Sequence, residues 1–161
     1  MNKKINLFNN EIEMGLRILV VLETIYPKSL DIEMINYYDY FILHTKDIGG
    51  EESLHPAMPN RFGELVIKRE LIHEGLKLLI SKGLVEVKYT NDGIEYIASD
   101  VASPFLDNLE SRYTQELSNN AQWVCLTFED FSYAQIKEFV DKNKTKWGSE
   151  LSYCTAGLND E

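Results

Sequence analysis

The chain has 161 residues, 44% of them hydrophobic and 26% charged, with a net charge of −10. These values fit one globular domain with a real core and exclude an intrinsically disordered chain. The acidity also argues against tight, free-standing binding to nucleic acid, because phosphate contacts supply most of that affinity.

The opening Lys3-Lys4 leads into Asn9, Asn10, Glu11 and Glu13 rather than into an apolar signal segment. The longest apolar run, Ile18 to Leu22, is far shorter than the roughly 18–20 residues that span a bilayer. A cytoplasmic location is expected. Cys125 and Cys154 lack a Cys or His neighbour at metal-ligand spacing and read as small hydrophobes.

Residues 1–8 form a polar lead. Asn9 or Asn10 can cap a first helix, with Glu11 and Glu13 in its favourable first turn. Ile12, Leu16, Leu19 and Val20 repeat at helical spacing, in a stripe broad enough to face core on most sides. Pro27 ends this helix. A second helix starts near Ser29 or Asp31 and carries Ile32, Ile35, Asp39 and Ile42 on one line, flanked by Tyr38 and Leu43. Asp39 breaks that apolar line and calls for a buried partner or a partly covered helix edge.

A long irregular stretch, 44–61, follows. Gly49-Gly50, Pro56 and Pro59 forbid a continuous helix or a central strand there. Ordered loops of this length are often functional. A third helix is expected from about Gly63 to Lys82, with Leu65, Ile72, Leu76 and Leu79 as core line and Lys68, Arg69, Glu70, Glu74 and Lys77 on other faces. Gly75 costs that helix roughly 1 kcal/mol relative to Ala, so a close neighbour is expected, and Gly83 is placed to stop it.

Residues 84–90 and 94–98 alternate about an Asn91-Asp92-Gly93 turn, which predicts a hairpin with Val85, Val87 and Tyr89 on one face. Helical spacing resumes from Pro104 through Phe105, Leu106, Leu109, Tyr113 and Leu117 to Phe128, and another amphipathic helix is expected over 130–147. Three helices followed by a hairpin are the order of a winged helix-turn-helix. The fold class is therefore read as α+β, mainly helical, with a winged-helix-like core. The long loop lies between its second and third helices, and further helices follow at the C-terminal end. Residues 1–129 would form the core, and 130–161 a helix and tail packed on the same domain.

His44, Asp47 and His55 are metal-ligand types within one loop, but no Cys pair or His-Glu-x-x-His spacing accompanies them. Ser53, His55 and Asp47 have the residue types of a nucleophilic triad. Sequence neighbours rarely meet as one, and Ser53 also suits a turn cap. Residues 61–88 hold six basic and four acidic residues, a sum of +2 on a body that otherwise carries −12. Arg61, Lys68, Arg69 and Lys88 are therefore the candidates for nucleic-acid contact, against a plain solvated face. The run Tyr37-Tyr38-Asp39-Tyr40-Phe41 has aromatics on more faces than one core covers and reads as a docking surface.

The loop and its flanks also carry a linear pattern. Tyr38-Asp39-Tyr40-Phe41 precedes His44, Asp47, Gly49-Gly50, Ser53-Leu54-His55-Pro56, Pro59, Arg61 and Gly63-Glu64. Arg69-Glu70-Leu71, Gly75-Leu76, Lys82-Gly83-Leu84, Asp92-Gly93-Ile94-x-Tyr96, Pro104-Phe105-Leu106 and Ala121-x-Trp123-Val124 follow. Over roughly residues 30–128 this resembles the small middle component, second type, of ABC-three component systems. It departs at Thr45-Lys46, where Ser-Gly is expected, and at Gly50-Glu51, where Gly-Pro is expected.

The resemblance implies a non-catalytic adaptor without cofactors. Its partners would be an SMC-like ABC ATPase and an effector, often a nuclease, in a hetero-oligomer similar to Lamassu-type antiphage defence. DNA would be touched only indirectly or weakly. The partner-binding residues would be Tyr38, Tyr40, Phe41, His44, Asp47, Gly49, Gly50, Ser53, His55, Pro56, Pro59, Arg61 and Glu64. A free-standing winged-helix DNA-binding regulator is the second reading. A metal-dependent hydrolase built on His44, Asp47 and His55 is the third.

Overall fold

The computed structural model describes residues 10–55 and 61–147, with the backbone alone for 61–67. Six helices and one two-stranded antiparallel sheet make it α+β and mainly helical among the described residues. Helix α1, Glu11–Thr24, is capped by Asn10, whose side chain accepts from the Glu13 amide at 2.8 Å. Helix α2, Ile32–Leu43, is capped in the same way by Asp31. A short 3₁₀ turn, Thr45–Ile48, follows, and then helix α3, Arg61–Ser81. Strands β1, Val85–Thr90, and β2, Gly93–Ala98, pair in a constant register from Val85–Ala98 to Thr90–Gly93. Gly93 (φ +134°) and Gly83 (φ +70°) take the backbone angles that other residues avoid.

Helix α1 lies between two apolar clusters, as its broad stripe predicts. Met14, Ile18, Leu19 and Leu22 pack with Ile35, Ile72, Leu76 and Leu79 and with the base of the hairpin, Leu84, Val85 and Ala98. Val20 and Val21 face the other cluster, built by α2 with Leu117, Ala121, Val124, Phe128, Ile136, Val140 and Trp147. Each fully enclosed Ile or Leu stabilises the fold by roughly 1.5–3 kcal/mol. One detail was not legible as a strand. Leu30 bridges β2, its amide donating to the Tyr96 carbonyl at 3.0 Å and its carbonyl accepting from the Tyr96 amide at 2.8 Å.

One expectation is corrected. The helical pattern after Pro104 is broken into α4, Ala102–Asp107, and α5, Arg112–Thr127. Asn108 donates its side-chain amide to the Pro104 carbonyl at 2.8 Å, and Ser111 accepts from the Thr114 amide at 3.1 Å, starting a new helix. The hairpin face Val85, Val87 and Tyr89 is buried only at Val85, because the ribbon projects away from the core. The final helix α6, Tyr133–Trp147, has a capping box in which Ser132 and Gln135 each accept from the other's backbone amide. Among the described residues no helix is long and apolar enough to cross a membrane.

The expected close neighbour of Gly75 is α1. A Cβ at Gly75 would stand 3.1 Å from the Gly15 nitrogen and 3.2 Å from Ile18 Cδ1, whereas one at Gly15 would meet nothing nearer than 3.7 Å. The two glycines therefore differ in substitutability. Gly15→Ala is expected to leave the melting temperature unchanged or raise it, gaining up to about 1 kcal/mol of helix propensity. Gly75→Val is expected to lower it by the equivalent of roughly 1–3 kcal/mol through overpacking. Thermal denaturation followed by circular dichroism reads both.

Candidate functional site

The loop after α2 folds back on the helix that precedes it. Gly49 adopts φ +96°, and the Gly50 amide donates to the Thr45 carbonyl at 2.8 Å. The His55 amide donates to the Leu43 carbonyl at 3.1 Å. Ser53 Oγ accepts from the Lys46 amide at 3.2 Å, and Thr45 Oγ1 donates to the Glu52 carbonyl. Ser53 therefore acts as a turn cap.

Asp47 accepts from the Tyr40 hydroxyl at 2.6 Å, while His55 Nε2 meets the Tyr113 hydroxyl at 3.1 Å. His44 packs its ring 4.7 Å from that of Tyr40. The candidate triad and metal ligands are thus directed to different partners. Among the described residues no group of three or more His, Cys, Asp and Glu converges as a metal site. Pro56 and Pro59 lie outside the described residues, as does Cys154. Arg61 and Glu64 begin α3, and their side chains lie outside the described set.

Beneath this loop sits a buried ionic network. Arg17 Nε donates to Asp39 Oδ1 at 2.6 Å and its Nη2 to Asp39 Oδ2 at 3.4 Å. Lys68 Nζ donates to the same Oδ2 at 3.4 Å. Arg17 Nη1 reaches Glu13 Oε1 at 3.1 Å, and the Tyr113 hydroxyl donates to that oxygen at 3.0 Å. One continuous set of polar contacts thus joins α1, α2, α3, α5 and, through His55, the loop. Asp39 is 1% exposed and Arg17 fully enclosed.

Burial drives the Asp39 carboxyl upward, but the Arg17 guanidinium and the Lys68 ammonium beside it outweigh that and hold it below the ordinary carboxylate range. Burial disfavours the Arg17 charge, and the Asp39 carboxylate restores it with a surplus. Burial, with Arg17 nearby, pushes His55 below the usual imidazole value.

Lys68 is therefore withdrawn from the nucleic-acid candidates, since its ammonium is a buried partner of Asp39 rather than a surface cation. Arg69 and Lys88 are exposed. The docking face expected on α2 is likewise interior. Tyr40, Phe41 and His44 are enclosed by this chain itself at 1% exposure or less, and Tyr38 is buried at 7%. Phe41 stacks on Phe128 with ring centroids 4.8 Å apart, and Tyr40 lies 5.0 Å from Trp147. The chain has core on both sides of α2, so its aromatics fill more faces than a surface helix would bury.

The aromatics left at the surface are elsewhere. An apolar groove of about 650 Å³ runs between the α1–α2 turn, the end of α5 and the start of α6. Tyr26, Leu126, Phe131 and Tyr133 line it and are exposed. Cys125 lies in its wall, and burial pushes its thiol up to about 11, so it stays protonated and unreactive near neutral pH. Sequence spacing did not single out this groove, because its residues come from three separate turns.

The family model for ABC-three component (ABC-3C) system Middle Component 2 matches residues 7–150. The chain belongs to this family. No curated protein and no solved structure matches it. The match extends the 30–128 resemblance at both ends, so the middle-component family also covers α1 with Arg17 and the whole of α6.

The network gives the middle component a defined acid response. His55 has a depressed folded value, so the unfolded chain binds its proton first. Stability from that histidine is complete above about pH 6.5 and declines as the pH falls below it. Asp39 acts in the same direction lower down, its contribution being lost below about pH 4. Urea denaturation across pH should show His55→Gln removing the upper step only. At pH 7, Asp39→Ala is expected to cost about 3–5 kcal/mol by removing the buried carboxylate that Arg17 and Lys68 share. Arg112→Ala, which breaks an exposed pair with Glu116, is expected to cost at most about 1 kcal/mol.

Proposed function

We propose that this middle component is a non-catalytic adaptor subunit that links an SMC-like ABC ATPase to an effector, a nuclease in the leading version. It would act in the cytoplasm, in prokaryotic antiphage defence of the Lamassu kind. Membership of a family defined by its place in a multi-component ABC system carries the reading. The burial of its ionisable cluster supports it. Asp39 and Glu13 balance Arg17 and Lys68 inside the fold, and Asp47, Ser53 and His55 are engaged in holding the loop. The groove at Tyr26, Leu126, Phe131 and Tyr133 offers apolar area of the kind that anchors subunit contacts. The outer face of the loop, with Gly49, Gly50 and Glu51, is the second surface we assign to a partner.

The element order, with Leu30 as a one-residue third strand, favours a winged-helix-like core and keeps the DNA-binding regulator as the alternative. Electrostatics weigh against that alternative. On the exposed face of α3, Arg69 and Lys77 are offset by Glu70 and Glu74, and Lys77 is itself paired with Glu74 at 3.1 Å. A face that sums to zero on a body of −10 gives phosphate little attraction.

Co-expression with an SMC-like ABC ATPase tests the adaptor reading. The middle component is expected to co-purify with it. Leu126→Glu, at a residue 70% exposed, should abolish this while shifting monomer stability by no more than about 0.5 kcal/mol. Tyr40→Ala would lose the complex only by unfolding the chain. Tight, sequence-dependent gel shifts by the isolated protein would instead establish the regulator.

A further inference from the structure

We propose that β1 is a dimerisation edge, pairing antiparallel with β1 of a second copy about a two-fold axis through Val87. The sheet has an asymmetry that points there. Strand β2 is flanked on both sides, by β1 and by Leu30, whereas among the described residues β1 has a neighbour on one side only. Tyr96 gives both its amide and its carbonyl to Leu30, so its opposite residue, Val87, is a non-hydrogen-bonded partner. Alternation along an antiparallel ladder then turns the backbone groups of Val85, Val87 and Tyr89 to the open edge. Among the described residues no hydrogen bond reaches those groups.

The edge carries neither a proline nor a bulge, its register is regular for six residues, and Glu86 and Lys88 are the charged residues that guard it against unmatched strands. Tyr89 is 80% exposed and Val87 is exposed beside it.

The sequence Val85-Glu86-Val87-Lys88-Tyr89 is complementary to itself when reversed. With the axis at Val87, each Glu86 faces Lys88 of the second copy, in the pairs where side chains approach most closely. Val85 faces Tyr89 of the second copy, which covers the exposed ring. Moving the axis to Glu86 or Lys88 would set like charges opposite each other. The axis through Val87 is the two-fold register that matches both charges, and that complementarity selects a second copy as the occupant.

Sedimentation velocity on the full chain, from about micromolar to about millimolar concentration, tests this. A monomer–dimer equilibrium is expected. Glu86→Lys and Lys88→Glu, both at exposed positions, should each weaken it roughly tenfold or more. Mixing the two variants should restore it, because each Lys then faces a Glu. In a Cys125→Ala/Cys154→Ala background, Val87→Cys should form an intermolecular disulfide. Hydrogen-bonded pairs lie about 5.5 Å apart at Cα, within disulfide reach. Asp92→Cys on the turn should not form one. A chain that stays monomeric throughout overturns the proposal and leaves the edge to a foreign strand. So does a dimer indifferent to both charge reversals, or equal cross-linking of the two cysteine variants.

Discussion

The fold depends on a carboxylate with no access to water. Asp39 sits on α2 at 1% exposure, and Arg17 and Lys68 reach it from α1 and α3. Removing such a group from water costs several kcal/mol, which is offset only if both cations arrive with good geometry. The three helices are thereby tied to one mutual arrangement, since sliding any of them by a turn would strand a charge. Glu13 and Tyr113 extend the constraint to α5 and, through His55, to the loop. Close approach of α1 and α3 at Gly15 and Gly75 is the steric counterpart of the same arrangement.

This arrangement changes the meaning of the long loop. Its residues have the types of an active site, and their partners are structural. Gly49 reverses the chain, Gly50 returns to Thr45, Ser53 caps Lys46, and His55 ties back to Leu43 and Tyr113. A reactive centre needs groups that converge on an open point. Here they diverge into the protein, and the loop serves as a strap over the end of α2.

Periodicity made the helices α1, α2 and α3 and the hairpin legible as elements. On α2 it did not show which aromatics face outward, because the six residues from Tyr38 to Leu43 are all buried and no polar face marks the outside. Asp39 was legible as an anomaly. Its partners were not, because a surface lysine and Lys68 have the same local signature, and burial is set by elements distant in sequence. The single-residue bridge at Leu30 is too short for any pattern. The exposed groove was equally hidden, since Tyr26, Leu126 and Phe131 become neighbours only through packing. Among the candidate site residues, spacing alone argued against chemistry at His44, Asp47 and His55, and the structure directs Asp47 to Tyr40, His55 to Tyr113 and the His44 ring against Tyr40.

The acidity of the chain bears on the proposed pairing of β1. Two compact bodies of this length, each at −10, with centres about 40 Å apart would repel by roughly 10 kcal/mol in water without salt. A Debye length of about 30 Å at 0.01 M leaves roughly 3 kcal/mol of that, and one of about 8 Å at 0.15 M leaves about a tenth of a kcal/mol. The two Glu86–Lys88 pairs contribute about 0.2–1 kcal/mol each, at short range where screening is weaker. Low salt therefore keeps copies apart, and physiological salt removes the repulsion before it removes the pairs. Association through this edge should strengthen as ionic strength rises toward physiological values, the reverse of binding to DNA, which phosphate neutralisation weakens with salt. The sign of the salt dependence thus separates the two things an acidic chain with a locally basic wing could do.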